Sequence, residues 1–277
     1  MLDNRLVVCY DEGLKGITAL MYEKVKILAP MLDQAVSNKV MTWPTYDGKF
    51  LNRADFVSSS EVGKCARQIW FSKNLPPVEG MFKWGFAERG HGHEAWVVEK
   101  LNTLDNEFEY MYVGDDQVSF HAGYQSGTPD GVFIKGIGEW WLFEHKSYDP
   151  RSKVSNFPKP EHIKQTVQNM DLVEECLNVT FDGALLVYSN ASDFSLTYEF
   201  WIDRSSPEVG EMIVALETRA EAIMKATSAD DVAPEGLHTG GCKLCAYGSQ
   251  CSAAMTASKN ERDRYDKIAK HGSKFFG

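Results

Sequence analysis

The chain predicts an α/β fold, a mixed central sheet flanked by helices, on three observations. Apolar runs of strand character cluster in mid-chain, at about 109–114, 118–122, 130–135 and 139–146. Runs of helical period lie on both sides of them. The resulting order, helix, meander of strands, helix, two strands, helix, gives each amphipathic helix a sheet to cover. With 277 residues, 43% of them hydrophobic, and seven tryptophans, there is material for one large core or two small ones.

Taken in order, residues 1–55 form an N-terminal extension without an assignable role; "LKGITALMYEKVKILAPMLDQAV" has helical spacing that Pro30 interrupts. In "SSSEVGKCARQIWF" Ser58 and Glu61 have capping-box spacing and predict a helix carrying Cys65 and Arg67. A second helix covers "GFAERGHGHEAWVVEKLN". Then "DGVFI" and "WWLFEHK" read as two strands joined by "KGIG", whose glycines suit a tight reversal. A basic, proline-broken loop, "SYDPRSKVSNFPKPEH", leads to "IKQTVQNMDLVEECL", a helix with Ile163, Val167, Met170 and Leu177 on its apolar side. Two strands, "GALLVYS" and "SLTYEFWID", precede a helix with apolar residues at 209, 212, 213, 216, 220 and 223. The main domain is expected over 56–255, with a charged tail at 256–277.

The formal net charge of −10 excludes a protein that coats nucleic acid indiscriminately, since polyanions are repelled at long range. Any such contact needs a local basic groove, for which Arg67, Arg151, Lys153, Lys159 and Lys164 are the candidates. Tyr148, Phe157 and Trp70 are candidate stacking platforms, although aromatic residues more often fill a core. No apolar run has the length of a membrane span, and the N-terminus lacks a signal-peptide layout, so a cytoplasmic location without a membrane partner is expected.

Period-two alternation puts Asp130 on one strand, and Glu144 and Lys146 on the next, at one end of a hairpin. Two carboxylates and an ammonium so placed suit a hard divalent cation, Mg²⁺ or Mn²⁺, that lowers the pKa of a bound water and neutralises charge growing on a phosphate. Lys146 then orients the water or pairs with the phosphate. The plainer alternative is a surface hairpin with an exposed Glu-Lys pair; the preceding run from Trp140 to Phe143 argues for the rim of a buried strand instead.

"GTPDG" followed by "FEHKS" resembles the catalytic core of the PD-(D/E)xK nuclease superfamily, and the wider pattern resembles its RecB-like exonuclease branch. The resemblance implies a restriction-endonuclease-like core and a metal-dependent DNA exonuclease acting on single strands or duplex ends. It also implies a Gly-x-x-x-(His or Glu) metal ligand on the upstream helix. In "RGHGHE" Glu94 fits by spacing from Gly90 and His93 by chemistry, and neighbours about 100° apart on a helix do not share one ion. A backbone oxygen from His145 completes the implied ligand set. The family's Gln-x-x-x-Tyr helix is matched by Gln165, with Asn169 where tyrosine is usual; the plainer alternative is that Gln165 and Gln168 form the solvated side of that helix.

Cys242, Cys245 and Cys251 form C-x2-C-x5-C, a knuckle that converges thiolates on one metal. The segment "SSSEVGKCARQIWF" resembles the one that supplies the first cysteine in the iron-sulfur subgroup of RecB-like nucleases, with AddB-type and CRISPR-associated exonucleases, making Cys65 the fourth ligand. The resemblance implies a [4Fe-4S] cluster stapling the C-terminal segment; Zn²⁺ suits four thiolates equally. Cys9 and Cys176 lie outside this pattern and read as ordinary buried thiols. A compact nuclease of this type suits a phage-encoded protein. The competing reading is a non-catalytic DNA-end-binding or adaptor module held by zinc.

Overall fold

The computed structural model describes residues 44–49, 51–76, 84–103, 107–151, 156–193, 196–236, 242, 245–256 and 259. The expectations for 1–43, Cys9, Lys153 and 260–277 lie outside them.

Among the described residues there are eight strands and four α-helices. They are β1 (Val57–Ser58), α1 (Ala66–Asn74), α2 (Trp84–Asn102), β2 (Phe108–Met111), β3 (Phe120–Ala122), β4 (Gln125–Gly127), β5 (Gly131–Lys135), β6 (Glu139–Tyr148), α3 (Pro160–Leu177), β7 (Gly183–Asn190), β8 (Leu196–Asp203) and α4 (Pro207–Lys225). The four helices and six of the strands follow the expected order, and β1 and β4 are additional. Five strands form the main sheet in the order β2-β5-β6-β7-β8, and a small sheet runs β1-β4-β3. The main sheet is mixed, because β6 runs parallel to β7 while its other pairings are antiparallel. The expected fold class, a mixed sheet flanked by helices, is the one observed.

The glycine-flanked reversal works as its composition dictates: Gly136 and Gly138 take positive φ of 57° and 98°, the region that a Cβ disfavours. That turn pairs Lys135 with Glu139 and sets the register in which Val132 faces Leu142 and Gly131 faces Phe143. Alternation then sorts β6 between two cores. Leu142 joins Val132, Ala184, Val167, Met170, Val173, Ile213 and Leu216 beneath α3 and α4. Phe143 turns the other way and packs with Phe133, Val187 and Val97 of α2. The periodic residues of α4 are buried as expected, with Val209, Ile213, Leu216, Ala220 and Ile223 facing inward.

Two local expectations change. The Ser58/Glu61 capping box is present, but it closes a 3-10 turn, Ser59–Glu61, and α1 begins only at Ala66 with Cys65 as its non-helical N-cap. The helix is capped from afar, since Glu235 Oε2 accepts the Ala66 N–H at 2.8 Å and is itself held by Arg219. Gln168, weighed as a solvated position, is 2% exposed and stitches the small sheet: its Nε2 donates to the carbonyls of Val57 and Ser126, both at 3.2 Å. Ahead of residue 56, the buried Thr45 bridges Ser119 and the exposed Tyr46 stacks on Phe120. No helix among the described residues is long and apolar enough to cross a membrane.

Candidate active site

The register of β5 on β6 ends at Gly131–Phe143, so Asp130 and Glu144 each stand next to a member of that last pair. Asp130 Oδ2 accepts the His145 N–H at 2.7 Å and lies 4.0 Å from Lys146 Nζ. Glu144 is fully buried; Lys146 Nζ donates to its Oε1 and Asn169 Nδ2 to its Oε2, the latter at 2.8 Å. One ammonium thus stands between two carboxylates, as alternation along β6 requires.

Burial dominates the electrostatics. It pushes the Asp130 carboxyl up to about 7, and Glu94 adds to the effect while Lys146 opposes it. Burial likewise raises Glu144 to about 7 against the pull of Lys146 and Asn169. Lys146 is drawn down by burial, but Glu144 and Asp130 outweigh that and hold the ammonium above the ordinary lysine range. The site concentrates negative charge in a dry place, an arrangement that an added cation relieves.

On α2, Glu94 and His93 face different surroundings. Glu94 Oε1 accepts from Gln117 Nε2, and His91 Nδ1 lies 3.7 Å from Glu94 Oε2. Its charge is felt at Asp130. His93 is 2% exposed and points into a buried chain, with Nδ1 3.4 Å from Ser189 Oγ, which lies 2.8 Å from His145 Nε2. Burial lowers the pKa of both imidazoles, that of His145 to about 3. Adjacent residues on a helix diverge in this way because each step turns by about 100°. Glu94 thus acts on Asp130 through its charge, while His93 joins the buried chain through Ser189 to His145.

Gln165 is half-buried one turn before Asn169 on α3. Three partners of the acidic group were not singled out from the sequence as site residues: Asn169, Gln117 and His91. For Asn169 the signal was available, since it stands four residues after Gln165 and so shares its face of the helix. For Gln117 there was none.

The basic candidates scatter. Arg67 is 7% exposed, and its guanidinium is consumed inside the protein: Nε and Nη2 donate to the Val232 carbonyl at 3.2 and 3.0 Å, and Nη1 to Asp230 and Ser252 at 2.8 and 3.1 Å. It is a tie between α1 and the segment after α4, not part of a groove. Arg151 is exposed and forked on Asp149. Lys159 precedes α3 and lies 6.0 Å from the Phe157 ring centroid, while Lys164 is exposed. The aromatic candidates are core: Phe157 stacks on Tyr188 at 4.4 Å, Tyr148 packs edge-on against Phe157, and Trp70 Nε1 donates to the Ala226 carbonyl.

Cys65, Cys242, Cys245 and Cys251 line one cavity of about 240 Å³ together with Phe71 and Gly236. Burial raises the Cys242 thiol, and the other three add to it. Cys176 is elsewhere, with Sγ 3.5 Å from the His121 carbonyl. Among the described residues no three His, Cys, Asp or Glu side chains converge closely enough to grip a metal ion in this conformation. Carboxylates with raised pKa are donors suited to a hard cation, and Cys65, Cys242, Cys245 and Cys251 put thiol donors around one cavity, although among the described residues neither set converges on a metal position.

No family model matches the chain, and no curated protein does. Among solved structures, it is similar to SSO0001, with 13% identity, a TM-score of 0.47, and coverage of 82% of this chain and 94% of that one. It is also similar to an alkaline exonuclease, LHK-Exo, from Laribacter hongkongensis, with 19% identity, a TM-score of 0.42, and coverage of 69% and 96%.

Proposed function

We propose that the protein is a metal-dependent deoxyribonuclease of PD-(D/E)xK type, an exonuclease on single strands or duplex ends. The observation that carries this reading is the Lys146 ammonium set between the buried Glu144 carboxylate on β6 and the partly buried Asp130 carboxylate just ahead of β5, with Glu94 adding its charge from α2. Asp130, Glu144 and Glu94 would hold Mg²⁺ or Mn²⁺, with the His145 carbonyl as a further oxygen. Such an ion, when bound, supplies Lewis acidity and a water of lowered pKa.

The protein's own groups do the rest. Lys146 keeps its proton, so its role is to orient a water or phosphate oxygen by charge and hydrogen bond rather than to remove a proton. The Asp130 carboxylate is fixed by the His145 amide, so its free oxygen is aimed by the backbone. Gln165, half-buried one turn from Asn169, would touch substrate at the rim. Lys159 and Lys164 would supply positive charge for phosphates at the start of α3, and Arg151, paired with Asp149, would add to it from the end of β6. The four thiols are read as a [4Fe-4S] site, with zinc as the other occupant that their chemistry allows, and Cys65 at the N-cap of α1 makes that site a staple between α1 and the C-terminal segment.

The test is digestion of end-labelled single-stranded and duplex DNA with Mg²⁺, Mn²⁺ or EDTA, by the wild type and by Glu144→Ala. Hydrolysis that needs the metal and is lost in the variant is the expected result. Equal hydrolysis by both proteins would remove the reading.

A further inference from the structure

We infer that Asn169 is a positioning residue that sets the orientation of the Glu144 carboxylate, and that Gly127 is a glycine in order to admit it. The inference rests on the nuclease reading for its consequence in turnover, but its geometry stands apart from that reading.

Asn169 is 0% exposed, and its Nδ2 donates to Glu144 Oε2 at 2.8 Å. With Lys146 on Oε1, both oxygens of Glu144 are engaged and the carboxylate plane is fixed from α3 and from β6 together. Asn169 Oδ1, in contrast, is buried without a hydrogen-bond partner. A buried amide oxygen without a donor is costly, so the side chain holds its place for what its nitrogen does. Turning the amide over would set an oxygen against a carboxylate, which fixes its sense.

The room for this comes from β4. A Cβ at Gly127 would lie 2.1 Å from Asn169 Oδ1, with Ser59 Oγ at 3.0 Å and Leu172 Cδ1 at 3.2 Å. The group that must give way to any larger residue is therefore Asn169, and with it the bond to Glu144. The glycine at the head of "GTPDG" has a reason in this structure: it seats the amide that aims the second carboxylate of the site.

Because Asn169 is enclosed, it acts on Glu144 and not on DNA. Asn169→Ala is expected to lower kcat roughly ten- to hundredfold, the range of a hydrogen bond to a charged group, with KM for DNA unchanged. It is also expected to weaken Mn²⁺ binding measured by calorimetry, which needs no turnover. Gly127→Ala should do the same through displacement of the amide. In the double variant the methyl enters the space left by the amide, so its kcat and Mn²⁺ affinity should match those of Asn169→Ala alone. Should Asn169→Ala not fold, Asn169→Leu keeps the volume, removes the donor and carries the same expectation.

Unchanged kcat and Mn²⁺ affinity beside a lowered melting temperature would make Asn169 a packing residue and overturn the inference. So would effects of the two substitutions that multiply. If the wild type binds Mn²⁺ but hydrolyses no DNA, the nuclease reading fails, while the calorimetric comparison still decides the role of Asn169.

Discussion

Arg67 separates a structural arginine from one that binds DNA, and Arg67→Met measures the difference. The guanidinium is the hydrogen-bond donor that the buried Val232 carbonyl receives from two nitrogens, at 3.2 and 3.0 Å. The bond to Asp230 counts for less, because that carboxylate is 71% exposed and water replaces the partner readily. Methionine retains much of the stem's apolar contact, so the loss is mainly that of an unsatisfied buried carbonyl, about 2–3 kcal/mol. For a domain of this size that corresponds to a fall in melting temperature of roughly 4–12 °C. The assay is thermal unfolding by circular dichroism, paired with fluorescence anisotropy of labelled single-stranded DNA over a salt series at a temperature where both proteins are folded. The expected outcome is a lower melting temperature with an unchanged salt slope. If instead the log-log slope flattens by about 0.7, the value of one phosphate contact on a single strand, and stability holds, Arg67 reaches DNA and its burial has been misjudged.

Other outcomes follow from the same geometry. Glu94→Gln should raise the Mg²⁺ concentration needed for half-maximal hydrolysis well beyond that of His93→Gln, which should chiefly lower the melting temperature by disturbing the Ser189 chain; the reverse ranking would put the histidine at the metal. Asp130 and Glu144 hold their protons to about 7 in the folded protein, against ordinary values of 3.8 and 4.5. The folded state therefore binds more protons between about 4 and 7, and stability from these groups falls as pH rises through that window. Melting curves should show this fall without divalent metal, and Mn²⁺ should raise the melting temperature more at pH 8 than at pH 5; a pH-independent gain would argue against ion binding by these carboxylates. Cys65→Ala and Cys242→Ala should lower metal content and melting temperature together, whereas Cys176→Ala should leave metal content unchanged, as checked by iron, zinc and sulfide per chain.

The β5–β6 hairpin was legible because its information is local: alternation gives the face, and the two glycines give the reversal and so the register that ends beside Asp130 and Glu144. The helices were legible as helices for the same reason, but their rotation was not. Whether Glu94 or His93 turns inward depends on Gln117 and Ser189, residues 23 and 96 positions away from their respective partners. Arg67 misled because a charged side chain is usually solvated, and the Val232 carbonyl that accepts from it lies 165 residues on. Gln168 misled in the same way, its partners being the backbone of two short strands whose sequences, "VS" and "QSG", carry little period. The late start of α1 followed from the capped turn closing at Val62 and from Cys65, whose ψ of 132° is not helical, which leaves the helix to be capped by Glu235.

The position of β6 has a consequence for how the site moves. It is the middle strand of five, with β5 on one side and β7 on the other, so from Trp141 to Phe143 both of its backbone edges are paired, and the β7 pairing continues to Tyr148. Amide protons along such a strand exchange with solvent only when the sheet itself opens, whereas a two-residue edge such as β1 frays at little cost. The doubly paired stretch just ahead of Glu144 and Lys146 is thus the part of β6 that opens last, and adjustment to a bound ligand falls to side-chain rotation and to α2 and α3, which pack on the two faces of β6.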